Sequence, residues 1–109
     1  YNNILNNDSA DNPSFSPDGS KIVFELITDP GPGQVNHIVV MNSDGSEIKK
    51  IVQDTTYTLR SPKWSPDGTK ICYNRNGYLW IINADGTGKK QISTIIIDHD
   101  KFTFMGKPK

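Results

Sequence analysis

The sequence predicts an all-β chain built from two copies of one antiparallel unit, and two observations lead to this prediction. An aromatic-Ser-Pro-Asp-Gly-Ser/Thr-Lys stretch followed by a short apolar run occurs at 15–24 and again at 64–73, so that the two Asp-Gly pairs lie 49 positions apart. An apolar run followed by Asn-x-Asp-Gly occurs at 38–51 and again at 79–92, 41 positions apart. Such self-similarity indicates a repeat architecture.

Each copy predicts four strands joined by tight turns. Pro presets φ at the second place of a turn and Gly after Asp supplies a positive φ, while β-branched and aromatic residues favour a strand. The first copy has eight more residues between its halves, in the Pro/Gly-rich loop 28–36, where the second copy has the hairpin signal Asn76-Gly77. The apolar runs 22–24 and 38–40 do not alternate, which indicates a sheet covered on both faces. The predicted strands are 13–16, 21–27, 37–41, 46–52, 62–65, 70–74, 78–82 and 87–93.

A four-stranded repeat of about 40–45 residues is the unit of a β-propeller. The predicted fold is therefore two complete four-stranded antiparallel propeller blades, with partial strands at both termini. The predicted division is a partial preceding blade and crossing at 1–12, blade one at 13–53, a crossing loop at 54–61, blade two at 62–93, and a partial or degenerate strand and tail at 94–109.

The same motifs support a family resemblance. Ser-Pro-Asp-Gly after an aromatic, with Asn-x-Asp-Gly closing the second hairpin, resembles the TolB-type, WD-repeat-like β-propeller repeat over 12–52 and 62–93. The resemblance implies a non-catalytic scaffold for a protein or peptide partner, in a periplasmic or extracellular location. It also allows an alternative, an accessory propeller segment of a prolyl-oligopeptidase-like serine hydrolase whose catalytic domain is absent from this chain.

The sequence shows no pattern typical of catalysis or of a cofactor. It has two histidines and lacks Gly-x-Ser-x-Gly, His-Glu-x-x-His and a phosphate-binding glycine loop, so we expect no enzyme activity, no cofactor and no metal. Asp98-His99-Asp100 holds metal-type ligands, but neighbouring residues on a strand point to opposite faces, which favours a solvated role. Asp44 and Asp85 resemble the start of a calcium loop and are better explained by hairpin turns. The single cysteine, Cys72, is expected to be a small buried hydrophobic residue.

Charge and hydropathy restrict the partners. Twelve basic and twelve acidic side chains give zero net charge, which argues against nucleic acid because no excess of Lys and Arg is available to neutralise phosphates. No apolar run approaches the roughly 20 residues of a membrane-spanning helix, so no membrane span is expected.

Meander geometry predicts which end of the blades carries the variable connections, which are either recognition loops or simply longer connections. The two Asp-Gly turns of each unit are expected at one end of the blades, and the longer, variable connections at the other. Loops on a rigid scaffold are where recognition usually occurs. The candidate partner-binding residues are Asp29, Gln34, Asn36, Tyr57, Arg60, Arg75 and Asn76.

Two blades cannot close a ring, because propellers have about four to eight. Either the chain is a fragment of a longer propeller, or copies join head to tail through two uncovered sheet faces, with three copies favoured. The sequence leaves both alternatives open.

Overall fold

The computed structural model describes residues 9–28 and 35–93, which form two four-stranded antiparallel sheets. We call them blade 1 and blade 2; each is a meander whose strands pair in chain order. Blade 1 consists of β1 (Ser9–Phe15), β2 (Lys21–Thr28), β3 (Val35–Asn42) and β4 (Lys49–Asp54). Blade 2 consists of β5 (Leu59–Trp64), β6 (Lys70–Arg75), β7 (Tyr78–Asn83) and β8 (Lys90–Gln91). The all-β fold with two four-stranded blades is confirmed.

The first strand of each blade begins before the proline at which the sequence placed it. β1 passes through Pro13 and β5 through Pro62 because a β-bulge precedes each proline and shifts the register. The bulge residues, Asn12 at φ 52° and Ser61 at φ 54°, lie in the left-handed region at the same repeat position. A bulge frees the backbone from pairing, so an edge strand can hold a proline there.

The Pro-Asp-Gly turns are held by the aspartate. In the first turn, one carboxylate oxygen of Asp18 accepts hydrogen bonds from Ser20 N at 3.0 Å and from the hydroxyls of Ser20 and Ser16, both at 2.8 Å. These three bonds lower the pKa of Asp18 to about 2. Asp67 holds the second turn in the same way, with Thr69 replacing Ser20. Gly19 follows Asp18 at φ 75°, as the turn requires.

Strand register places the connections at the predicted ends. Lys21 lies opposite Asn42 at the end that carries the Asp-Gly turns, and Thr28 lies opposite Val35 at the other end. Asn36 faces Asp54 across β3 and β4, so the crossing into blade 2 also leaves from the second end. We call these the turn end and the loop end.

The main core lies between the blades. Alternate residues of β2 and β3 point toward blade 2, and the facing side of blade 2 is aromatic and aliphatic. The buried cluster formed there consists of Val23, Ile38, Val40, Val52, Leu59, Trp64, Ile71, Tyr73 and Ile82. This layer, which we call the seam, joins the two sheets.

The two faces that point away from the seam differ. The outer face of blade 1 was expected to be uncovered, but Phe24, Leu26, Val39 and Met41 form a second buried cluster there, each at most 8% exposed. On the far face of blade 2, Leu79 and Ile81 are half-buried. The expectation of two uncovered sheet faces is therefore wrong for blade 1. The partial strands expected at the termini, and Asp98-His99-Asp100, lie outside the described residues.

Candidate interaction site at the seam between the blades

A buried carboxylate joins the first strands of the two blades. Glu25, in the middle of β2, is fully buried, and its Oε2 accepts a hydrogen bond of 2.8 Å from the backbone N–H of Ser61. The same oxygen accepts a hydrogen bond from the side-chain amide of Asn12. The bulge conformation at Ser61 thus supplies an N–H to the neighbouring blade, so that the seam has a defined polar anchor.

Trp64 adds a second link across the seam. Its indole Nε1 donates to the carbonyl of Ser14 at 2.9 Å, and only 8% of the residue is exposed. Phe15 holds the same repeat position in blade 1 and is 62% exposed. The two aromatic residues hold equivalent repeat positions, but Trp64 is buried in the seam and Phe15 is exposed.

An arginine between aromatic rings occupies the loop end of the seam. The guanidinium carbon of Arg75, at the end of β6, lies 4.6 Å from the ring centroid of Tyr57 and 5.5 Å from that of Trp80. Its Nε forms an ion pair with the carboxylate of Asp54, at the end of β4. Cation–π contact and the ion pair together hold Arg75 in one orientation. We call these four residues the arginine cluster.

Asp54 is positioned by its own turn. Its Oδ1 accepts the backbone N–H groups of Thr56 and Tyr57, both at 2.8 Å, while Oδ2 faces Arg75. Partial burial raises the pKa of Asp54, but the hydrogen bonds from Tyr57, Arg75 and Thr56 outweigh it and hold that pKa below its usual value. The carboxylate is therefore ionised at neutral pH.

The lowered pKa gives a pH-dependent prediction. An aspartate whose pKa is lower in the folded state stabilises that state above its unfolded pKa of about 3.9, and loses this contribution as the pH falls through the lower, folded value. We expect Asp54→Asn to be destabilised most near neutral pH and to converge on the wild type as the pH falls below about 4. Urea unfolding across this range measures it.

The control is Asp11→Asn, at an exposed position of β1. The free energy of unfolding of Asp11→Asn should differ little from that of the wild type across the whole pH range. If Asp54→Asn remained equally destabilised at low pH, the Asp54 side chain would stabilise the fold by its shape and not by its charge.

The structure brings two of the predicted partner-binding residues together, Tyr57 and Arg75. Asn36 is only 5% exposed, and its Nδ2 has no hydrogen-bond partner among residues 9–28 and 35–93. Arg60 is exposed on β5, and Asn76 is exposed in the β6–β7 turn at φ 53°. Asp29 and Gln34 lie outside the described residues.

Sequence reasoning missed Asp54 and Trp80 as members of this cluster. Asp54 carried a weak signal, because an aspartate followed by Thr-Thr can cap a turn with its own side chain. Trp80 carried none, since it lies in an apolar run and its neighbour Arg75 becomes evident only when β6 pairs with β7.

A groove lies along the first strands of both blades. It has a volume of about 500 Å³ and is lined by proline, aromatic and serine side chains together with Asn12 and Lys63. β1 and β5 are edge strands of their sheets, and both carry a bulge and a proline. These features make a strand edge a poor template for pairing with another strand.

Two serine hydroxyls and the one cysteine thiol in the described ranges are held in structural surroundings. The hydroxyls of Ser16 and Ser65 donate to Asp18 and Asp67 within the turns. Burial raises the pKa of the Cys72 thiol to about 12, so the thiolate that reacts or binds metal is not formed at neutral pH.

The part of the chain that the structure describes contains no helix of the length and hydropathy needed to cross a bilayer.

No protein-family model matches the chain. A curated relative, dipeptidyl-peptidase 5 of Porphyromonas endodontalis, is 32% identical over 88 residues, which are 75% of this chain and 13% of that protein. The fold is similar to that of an oligogalacturonate lyase in complex with manganese (TM-score 0.72, 17% identity, 84% of this chain and 30% of that one).

Two further solved structures match. One is assigned to TolB of Agrobacterium tumefaciens (TM-score 0.63, 21% identity, 84% of this chain and 31% of that one). The other is the β-propeller domain of the Trilobed protease from Pyrococcus furiosus (TM-score 0.56, 21% identity, 79% of this chain and 28% of that one). The chain thus spans less than a third of each. In its fold the chain is a pair of β-propeller blades, and its repeated motifs resemble the TolB-type repeat.

Proposed function

We propose that this pair of blades is a non-catalytic scaffold that binds a protein or peptide, within a periplasmic or extracellular TolB-like propeller. The observation that carries the proposal is the arginine cluster at the loop end, where Arg75 and Tyr57 are held together at the surface. Tyr57 is 40% exposed and the Arg75 side chain 29% exposed. Arg and Tyr are among the residues enriched at the energetic centres of protein interfaces.

The cluster is suited to binding because it is ordered before a partner arrives. Ordering a long side chain on binding costs about 0.5–1.5 kcal/mol. Arg75 is already fixed by Asp54, Tyr57 and Trp80, so a partner that contacts it avoids most of this loss. The exposed Tyr57 ring adds an apolar surface whose hydroxyl can still bond to a partner.

A phage-displayed library of short random peptides tests the proposal. Peptides selected on the wild-type chain are expected to bind Tyr57→Ala at least about tenfold more weakly, the change that a loss of about 1.4 kcal/mol produces. Gln53→Ala, an exposed residue of β4 at the same end, is the control and should bind as the wild type does. Failure to select any peptide, or equal binding to Tyr57→Ala, would contradict the proposal.

The second candidate is an accessory propeller segment of a serine hydrolase, supported by the 32% identity to a dipeptidyl-peptidase. Under both proposals the 109 residues carry no catalytic group of their own. We expect a fluorophosphonate probe not to label this chain. Labelling of a longer natural polypeptide that contains it would favour the hydrolase, and stoichiometric labelling of the chain itself would refute both.

Head-to-tail assembly, with three copies forming six blades, remains a prediction. It requires the outer face of blade 1 to receive the far face of blade 2, and the first of these is already buried. Sedimentation velocity at micromolar concentration decides it: a trimer supports the prediction, a dimer refutes the number three, and a stable monomer refutes self-assembly.

A further inference from the structure

We propose that the arginine cluster binds a carboxylate of a peptide partner, and that Arg75 holds it through the two terminal nitrogens of its guanidinium, Nη1 and Nη2. Two groups of a peptide offer this chemistry, an Asp or Glu side chain and a free C-terminus. The inference rests on the proposed function and adds the chemical group by which the partner is recognised.

Arg75 has hydrogen-bond donors that the rest of the described chain leaves available. A guanidinium carries five N–H donors in a fixed planar fork. The donor on Nε is paired with the carboxylate of Asp54. Among residues 9–28 and 35–93, no group accepts a hydrogen bond from Nη1 or Nη2, which carry the other four donors. The Arg75 side chain is 29% exposed, so a partner can reach it.

A carboxylate fits these donors. Its two oxygens can accept one N–H each from Nη1 and Nη2, which gives a bidentate pair of parallel, charge-assisted hydrogen bonds. Such bonds are about twice as strong as hydrogen bonds between neutral groups. Because Asp54 occupies Nε, the edge formed by Nη1 and Nη2 is the part of the guanidinium left for a partner.

Charge favours a carboxylate over a phosphate. Asp54 is ionised at neutral pH, since its pKa is below the usual value, and the Asp54–Arg75 pair is therefore neutral as a whole. A phosphate group carries a charge of about −1.5 to −2 at neutral pH, and here it would meet one guanidinium beside an existing carboxylate. Sites that recognise phosphate use clusters of arginines. A single fork next to an aromatic ring suits one carboxylate.

Tyr57 supplies the apolar part of the same site. Its ring centroid lies 4.6 Å from the guanidinium carbon of Arg75, and the residue is 40% exposed. A partner residue beside the acidic group can pack on this ring, whose apolar body and polar hydroxyl both suit an interface. The surface therefore fits a peptide that carries a carboxylate next to an apolar side chain.

The other arginine of the chain, Arg60, lies on a different face. In the pairing of β5 with β6, Leu59 lies opposite Arg75. Arg60, the next residue of β5, lies opposite Asn74. Adjacent residues of a strand point to opposite faces of the sheet. Arg60 therefore carries the same charge at the same end of blade 2 but points away from the cluster, which makes it the matched control.

The first test uses the full chain and short random peptides synthesised in two forms, with a free C-terminal carboxylate and with a C-terminal amide. Peptides retained by the immobilised wild-type chain are identified by mass spectrometry. Enrichment of Asp or Glu among the retained amides assigns the carboxylate to a side chain. Preferential retention of the free acids assigns it to the C-terminus. We expect one of these two results.

Matched variants test the fork itself. Arg75→Lys keeps the positive charge but not the planar fork, and it should bind the retained peptides at least about tenfold more weakly than the wild type does. Arg60→Lys should bind them as the wild type does. Converting the recognised carboxylate of a retained peptide to its amide should weaken binding to the wild-type chain by a similar factor. This last comparison does not depend on the folding of a variant.

Nitrogen-15 NMR of the arginine side chains probes the site without a peptide. The chain has two arginines, so the two lysine variants assign the signals of Arg60 and Arg75. In a titration with sodium acetate at constant ionic strength, the Arg75 signals should shift farther than those of Arg60. Inorganic phosphate should show no greater selectivity for Arg75 than acetate does.

The outcomes separate this inference from the proposed function. If peptides are retained without enrichment of acidic side chains or free C-termini, or if Arg75→Lys binds them equally well, the carboxylate site is overturned and the proposed function stands. If no peptide is retained, the proposed function fails, while a selective shift of Arg75 in acetate would still support the carboxylate site. Equal shifts of Arg60 and Arg75 in acetate, or a selective response of Arg75 to phosphate alone, would overturn it.

Discussion

Trp64→Ala is expected to lower the free energy of unfolding by about 3–5 kcal/mol, the cost typical of deleting a buried large aromatic side chain. The indole fills the seam among residues of both blades, and its Nε1 satisfies the carbonyl of Ser14. Truncation leaves a cavity in the layer that joins the two sheets and removes that hydrogen bond. Urea denaturation monitored by far-ultraviolet circular dichroism measures the change.

The internal repeat supplies the matched control, Phe15→Ala. Phe15 holds the same repeat position but is 62% exposed, so its removal should change stability by no more than about 0.5 kcal/mol. Equal losses for the two variants would show that the repeat position matters through the local turn and not through the seam.

Glu25→Ala has the second-largest expected effect, a loss of about 3 kcal/mol. The substitution removes the acceptor of two hydrogen bonds and leaves the backbone N–H of Ser61 in the seam without its partner. A hydrogen bond contributes about 0.5–1.5 kcal/mol, and a buried donor left without its partner costs about 1–3 kcal/mol more. Thermal and urea unfolding of the variant measure the loss.

Two comparisons test whether the hydrogen bonds of Glu25 account for this loss. Glu25→Gln keeps an acceptor oxygen for Ser61 N and should lose about half as much, while Asp11→Ala removes an exposed carboxylate and should be nearly neutral. A Glu25→Ala protein as stable as the wild type would mean that water satisfies the bulge at Ser61, and that the seam does not need this anchor.

The exposures in the two blades indicate how stability is distributed along such a repeat. A blade contributes apolar surface on both faces, and that surface stabilises the fold only when a neighbour covers it, as expected for arrays stabilised by nearest-neighbour contacts. Substitutions at the seam should therefore have larger effects than the same substitutions on the far face of blade 2. Trp64, buried in the seam, and Phe15, 62% exposed at the same repeat position of blade 1, provide a further contrast between covered and uncovered positions.

The sequence by itself determined the turns, the number of strands and the end of the blades at which each connection lies. These features depend on interactions over a few residues. Asp18 and Asp67 bond to groups within two positions along the chain, and Gly19 supplies the positive φ of its own turn. Such local interactions can be predicted from the sequence without knowledge of the fold. The second copy of the motif predicts the same turn at the equivalent position.

Only the tertiary structure decided what the seam contains. Glu25, in an apolar strand, has no sequence signal for its bond to Ser61, 36 residues away, and Arg75 meets Asp54 and Tyr57 only because two sheets stack. The sequence also left open that the outer face of blade 1 is buried while Leu79 and Ile81 on the far face of blade 2 are only half-buried. An apolar run indicates that a sheet face is covered, but it does not identify the residues that cover it. Contacts between residues distant in sequence depend on how sheets pack, and a strand pattern specifies the faces of a sheet but not their neighbours.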